Sequence, residues 1–162
     1  MLRISKLTDY GTVILAALAT HPGGRLTASE VAERTHIALP TVSKLLKSLT
    51  RGGLVVSTRG SHGGYQLARP PHEISAASIL DAIEGAIALT ECSTGHSTCC
   101  IETTCRVGNA WQRVNAAIRR ALNDVSLAQL AGLDCGVIRV ADLTAGIKAG
   151  AQGTRVSRAH HE

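Results

Sequence analysis

Four cysteines, Cys92, Cys99, Cys100 and Cys105, fall within one short segment that also carries glycine, serine and threonine. Such a segment can fold several thiolates round a common centre. Thiolates select zinc, copper(I) or iron–sulfur clusters, and their spacing alone does not choose among these. The plain alternative is a set of neighbouring thiols with nothing bound. The fifth cysteine, Cys135, lies in a loosely patterned stretch beyond a predicted helix end and reads as a non-ligand. No signal-peptide pattern is visible, so the expected location is cytoplasmic, where thiols stay reduced and metal or redox chemistry takes precedence over disulfides.

A second group of residues points to a polyanion. Residues 1–71 hold nine Lys/Arg against three Asp/Glu, a net of +6, whereas residues 72–162 hold eight against nine. The basic half is therefore the expected nucleic-acid half. Aromatic residues make up only 2% of the chain and phenylalanine is absent, so platforms for stacking single-stranded bases are missing and duplex DNA is the better partner. The apolar run from Val13 to Ala19 is far shorter than the roughly 20 residues that a membrane span requires, so no membrane partner is expected. A phosphate-binding glycine loop, an HExxH motif, a nucleophile elbow and a general acid/base pair are all absent, which argues against an enzyme.

These residues need elements to position them. The spacing of Leu7, Ile14, Leu15 and Leu18 predicts a helix over 5–20, stopped by His21-Pro22-Gly23-Gly24. Thr27 and Glu30 form a capping-box pattern that opens a second helix running to about Arg34. A third helix is predicted over 40–51, with Pro40 in its first turn and Gly52-Gly53 as its stop. Its apolar residues Val42, Leu45, Leu46 and Leu49 make one stripe, which leaves Thr41, Ser43, Lys44, Lys47 and Ser48 outward. Two short strands, 54–56 and 65–67, flank the glycine-rich tip from Arg59 to Gly64. A fourth helix follows over 75–84. A longer one over 107–125 carries Trp111, Val114, Ile118, Leu122 and Val125 at near-heptad spacing, and Ser126 with Gln129 could cap one further turn.

Two short helices, the second polar on one face, followed by a glycine-tipped hairpin, are the parts of a winged helix-turn-helix. Such a helix fits the major groove while an arginine-bearing wing reaches backbone or minor groove. The expected DNA contacts are Thr41, Ser43, Lys44, Lys47 and Arg51 on the helix, with Arg59, Ser61 and His62 on the wing. A solvated helix face and an ordinary hairpin are the competing reading. The expected fold is thus mainly α with a small β wing, plus a long C-terminal dimerisation helix. Residues 1–88 form the DNA-binding domain, 89–106 the cysteine-rich loop, 107–131 the dimerisation helix and 132–162 a partly disordered tail. The heptad stripe predicts a homodimer, because it would otherwise stand in water.

Leu7-Thr8-Asp9-Tyr10, Leu39-Pro40-Thr41-Val42 and Arg59-Gly60 with Gly63-Gly64-Tyr65 resemble the family of iron–sulfur transcription regulators typified by IscR and NsrR, over about residues 1–131. The segment Leu89-Thr90-Glu91-Cys92 through Cys105 to Trp111 is most similar to the branch that regulates the SUF iron–sulfur assembly operon. The resemblance implies a winged-helix dimer that binds double-stranded operator DNA and represses assembly genes as a redox sensor. It implies an iron–sulfur cluster, 2Fe-2S or 4Fe-4S, on Cys92, Cys99 and Cys105, with Cys100 as an extra thiol or substitute ligand. Some members use a histidine three residues past the last cysteine, where this chain has Gly108. Others borrow an acid from the partner's first helix, which places Asp9 first, with Cys100, His96 and Glu102 as alternatives. Asp9 could equally serve only to favour the positive end of its own helix. A regulator that binds zinc, or works by thiol redox without a cluster, is the alternative function.

Overall fold

The computed structural model describes residues 4–21, 23–60, 63–86 and 108–134. The segment bearing Cys92, Cys99, Cys100 and Cys105, the wing-tip residues Ser61 and His62, Cys135 and nearly all of the proposed tail lie outside the described residues.

The chain forms α1 (Lys6–Ala19), α2 (Ala28–Thr35), α3 (Leu39–Arg51), β1 (Val55–Thr58), β2 (Gly64–Leu67), a 3-10 turn (Pro71–Glu73), α4 (Ala76–Glu84), α5 (Gly108–Asn123) and α6 (Leu127–Leu130). Local chemistry starts most of the helices. Ser5 caps α1 through a hydrogen bond donated by Thr8 N–H to Ser5 Oγ at 3.3 Å. The predicted capping box opens α2: Glu30 N–H donates to Thr27 Oγ1 at 3.2 Å, and Thr27 N–H donates to Glu30 Oε2 at 2.7 Å. The Thr27 N–H first, and then the Thr27 hydroxyl, which donates to the same Glu30 Oε2 at 2.8 Å, hold the Glu30 carboxyl below the usual carboxylate range. Ser126 and Gln129 build a second such box at α6. By contrast α3 starts on Ala38, which offers no side-chain cap, and relies on Pro40 and on its buried face.

One core holds the helices together. Ile14, Leu15 and Leu18 of α1 meet Val31 of α2, the full Val42/Leu45/Leu46/Leu49 stripe of α3, and Ile79 of α4. Leu7, placed by its spacing on the apolar face of α1, is instead 40% exposed. The antiparallel hairpin pairs Val55 with Leu67 and Thr58 with Gly64. Leu26 adds one more rung at the outer edge of β2: its N–H donates to Tyr65 O at 3.0 Å, and its carbonyl accepts the Tyr65 N–H at 2.8 Å. A Cβ at residue 64 would stand 2.9 Å from Leu26 O, in a backbone with φ of 153°, so Gly64 lets that rung form.

The C-terminal elements return to this body. Leu127 is fully buried in the same core, and its N–H donates to Ile74 O at 2.7 Å. Ala76 N–H donates to Val125 O at 2.8 Å, so the start of α4 and the end of α5 are tied side by side. Residues 126–127 thus pack as part of the winged-helix body even though the sequence places them beyond the long helix. Leu127→Ala should cost about 2–5 kcal/mol of stability, as a fully buried leucine does when truncated. Chemical denaturation of the full chain measures this. A loss below about 0.5 kcal/mol, the range of ordinary surface substitutions, would remove Leu127 from the core.

Candidate nucleic-acid interface and sensor residues

The amphipathic α3 is pressed onto the core by four buried side chains, and this fixes which residues it turns outward. Lys44, Lys47 and Arg51 stand exposed, and the helix contains no acid. Thr41 and Ser43 are half-buried, so they lie at the margin of the outward face and the lysines dominate it. Arg59 is exposed where β1 leaves for the wing tip. None of these four cations joins an ion pair among the described residues, where the salt bridges are His72 with Glu73 and Arg119 with Asp81. A convex helix carrying free cations beside a cationic hairpin can engage the phosphates and groove of a duplex.

His36 closes α2 in the left-handed conformation, with φ of 55°. The turn between α2 and α3 thus takes the tight geometry often given to glycine, and histidine tolerates it better than a branched residue would.

Asp9 is exposed in the first turn of α1, and its carboxylate has no hydrogen bond or ion pair among the described residues. It is therefore available to an outside partner. No group of three His, Cys, Asp or Glu side chains that could hold a metal occurs among the described residues, and the candidate thiols fall outside them.

Two polar links escaped the sequence reading. Arg119 of α5 grips Asp81 of α4 with both terminal nitrogens, at 3.1 and 2.5 Å, and that hydrogen bonding raises the arginine's already high pKa. Glu84, the last residue of α4, accepts hydrogen bonds from the Thr8 hydroxyl and from Ser5 N–H at α1; chiefly the Thr8 bond holds its carboxyl below the usual range. Each spans a long stretch of sequence, and no periodicity or motif marks either one.

On α5, Trp111 is 46% and Val114 is 43% exposed, whereas Ile118 and Leu122 are half-buried; the helix ends at Asn123, so Val125, predicted on its last turn, lies beyond it, half-buried where its carbonyl accepts the Ala76 N–H. The N-terminal end of the predicted stripe is thus an apolar surface left open in the single chain.

The family model described as Rrf2, iron-dependent transcriptional regulator, matches residues 4–132. A putative HTH-type transcriptional regulator of Haemophilus influenzae is 34% identical over 129 residues, covering 77% of this chain and 85% of that protein. The HTH-type transcriptional regulator IscR of Aliivibrio salmonicida is 31% identical, covering 77% and 76% respectively. The structure of CymR, the global cysteine regulator of Bacillus subtilis, superposes with a TM-score of 0.63 at 28% identity, over 83% of this chain and 99% of that one. A winged-helix body with a free cationic face, matched along nearly all of its described length by transcriptional regulators, identifies a DNA-binding regulator and not an enzyme: the chain belongs to the Rrf2 family.

Proposed function

We propose that this regulator is a homodimeric repressor that senses iron–sulfur status or redox stress through a cluster held by its cysteine segment, and that it controls iron–sulfur assembly genes. The observation that carries the reading is the donor set. Four thiols lie between residues 92 and 105, in a chain whose family is described as iron-dependent, and an unengaged carboxylate stands at Asp9. Cys92, Cys99 and Cys105 would hold the group, and the partner subunit's Asp9 would complete it, with Cys100 as a substitute. Soft thiolates suit an iron–sulfur cluster, and a single carboxylate ligand makes the site easier to open than four thiolates would. The bound cluster would supply a centre whose charge and integrity respond to iron and oxidants.

The competing reading is a cluster-free regulator that uses zinc or thiol oxidation, which the likeness to CymR, a cysteine regulator, supports. Anaerobic purification separates the two. The cluster reading expects a brown protein with iron and sulfide in equal stoichiometry. Cys92→Ala, Cys99→Ala and Cys105→Ala each abolish the colour, Cys100→Ala keeps it, and Asp9→Ala makes it labile. Operator titrations with matched holo and apo protein complete the test. A colourless protein with one zinc per chain, or equal affinities of the two forms, rejects cluster sensing.

The DNA face is proposed to comprise Thr41, Ser43, Lys44, Lys47 and Arg51 of α3 with Arg59, Ser61 and His62 of the wing. Lys44→Ala and Arg59→Ala should each weaken operator binding and lower the salt slope by about 0.9, the effect of one lost phosphate contact. Binding isotherms over a salt series measure this, and wild-type slopes in both variants would displace the interface from α3 and the wing.

Dimerisation is proposed through α5, because Trp111 and Val114 leave apolar area exposed at near-heptad spacing with the half-buried Ile118 and Leu122, a spacing that Val125 continues past the helix end. A second copy presenting the same surface gives the two-fold symmetry that palindromic DNA sites reward. Sedimentation should show a dimer at micromolar concentration and a monomer for the Trp111→Asp/Val114→Asp double variant. A monomeric wild type, with and without DNA, would discard the dimer.

A further inference from the structure

Thr8 is the one polar residue that the core buries among the described residues, at 4% exposure. Its hydroxyl donates to Glu84 Oε1, and the Ser5 N–H donates to the same oxygen at 3.3 Å. Ser5 is the N-cap of α1, and Thr8 stands at its third helical position.

The two capping boxes of this chain show what the arrangement replaces. At α2 and α6 the residue at the third position is Glu30 or Gln129, and its own side chain reaches back to the N–H of the cap residue. At α1 that position is Thr8, whose side chain is too short to do so. The missing carboxylate comes from Glu84 instead, 79 residues from Ser5 along the chain. A negative group at the positive end of α1 is also favoured by the helix dipole. One turn further on the two helices touch closely: a Cβ at Gly11 would fall 2.3 Å from Ile83 Cδ1, so a side chain there would force the isoleucine to turn aside.

Two neighbours in sequence give the link its interest. Asp9, whose carboxylate is unengaged among the described residues, follows Thr8 directly and sits in the turn that Glu84 closes. Glu84 itself ends α4 immediately before Gly85, and Cys92 follows it by eight residues in sequence.

We propose that Glu84 is a long-range cap of α1 and thereby a positioning residue for Asp9, fixing the turn from which that carboxylate is presented to the partner subunit. This rests on the reading of Asp9 as a cluster ligand. The carboxylate touches no ligand itself; it fixes the turn that presents one.

The test uses the full chain, purified anaerobically, as wild type, Glu84→Ala, Thr8→Val, Thr8→Ser and Asp9→Ala. Thr8→Val keeps the buried shape without the hydroxyl, and Thr8→Ser keeps the hydroxyl. Amide exchange in the apo form reads the cap independently of any cluster. Loss of visible absorbance to excess EDTA reads the presentation of Asp9. Glu84→Ala and Thr8→Val should speed exchange at the Thr8 and Asp9 amides by about 2- to 30-fold, the factor equivalent to a lost helix cap. Exchange in α2 and α3 should stay at the wild-type level, which shows the fold intact. The same two variants should lose the cluster faster than wild type, in the direction of Asp9→Ala, and Thr8→Ser should behave as wild type. Unchanged exchange in Glu84→Ala overturns the cap. Faster exchange with a wild-type rate of cluster loss overturns the positioning role. A wild type with no iron or sulfide instead removes the cluster reading, and the positioning role with it, while the exchange result still decides the cap.

Discussion

Val42, Leu45, Leu46 and Leu49 share one core with Ile14 and Leu15 of α1, Val31 of α2 and Ile79 of α4, and the outward face of α3 depends on that shared burial. A leucine or valine taken fully from water contributes about 1.5–3 kcal/mol, so four on one short helix outweigh its lack of a side-chain cap. Rotating α3 to present other residues would expose that stripe. The orientation of Lys44, Lys47 and Arg51 is therefore fixed by apolar packing behind them and not by contacts that the cations make themselves.

The same core reaches past the long helix through Leu127, which makes α4 the junction of the molecule. Its start is hydrogen-bonded to residues 125–127, its middle is gripped by Arg119, and its end meets the N-terminus of α1. The Arg119–Asp81 pair is partly exposed, with side chains 41% and 30% accessible, so solvent screens much of its strength and its value lies in setting the register of α5 on α4. Burial supplies the stability, and the polar links choose one alignment among those that burial would allow.

Much of this was legible in the sequence, for a physical reason. Capping boxes and apolar stripes act within one helix, so Thr27 with Glu30, Ser126 with Gln129 and the stripe of α3 declare themselves by spacing alone. Leu7 misled because its periodicity states only that a face is apolar, not which neighbour covers it. The same limit applies to Trp111 and Val114. Thr8, Glu84, Asp81 and Arg119 were invisible because their partners come from other helices. The donor set at residues 92–105 was legible as chemistry, since thiols at that density carry their meaning without a fold.

The charges divide according to what they have to do inside the chain. Glu30 is committed to the α2 cap, Glu84 to α1 and Asp81 to Arg119. Lys44, Lys47, Arg51 and Arg59 have no such commitments among the described residues. α3 itself holds no acid, so the excess of positive charge in the basic half stays available on its outward face. Each free cation keeps a solvated counterion until a phosphate replaces it, and release of that ion supplies the affinity that an internal salt bridge would have forfeited.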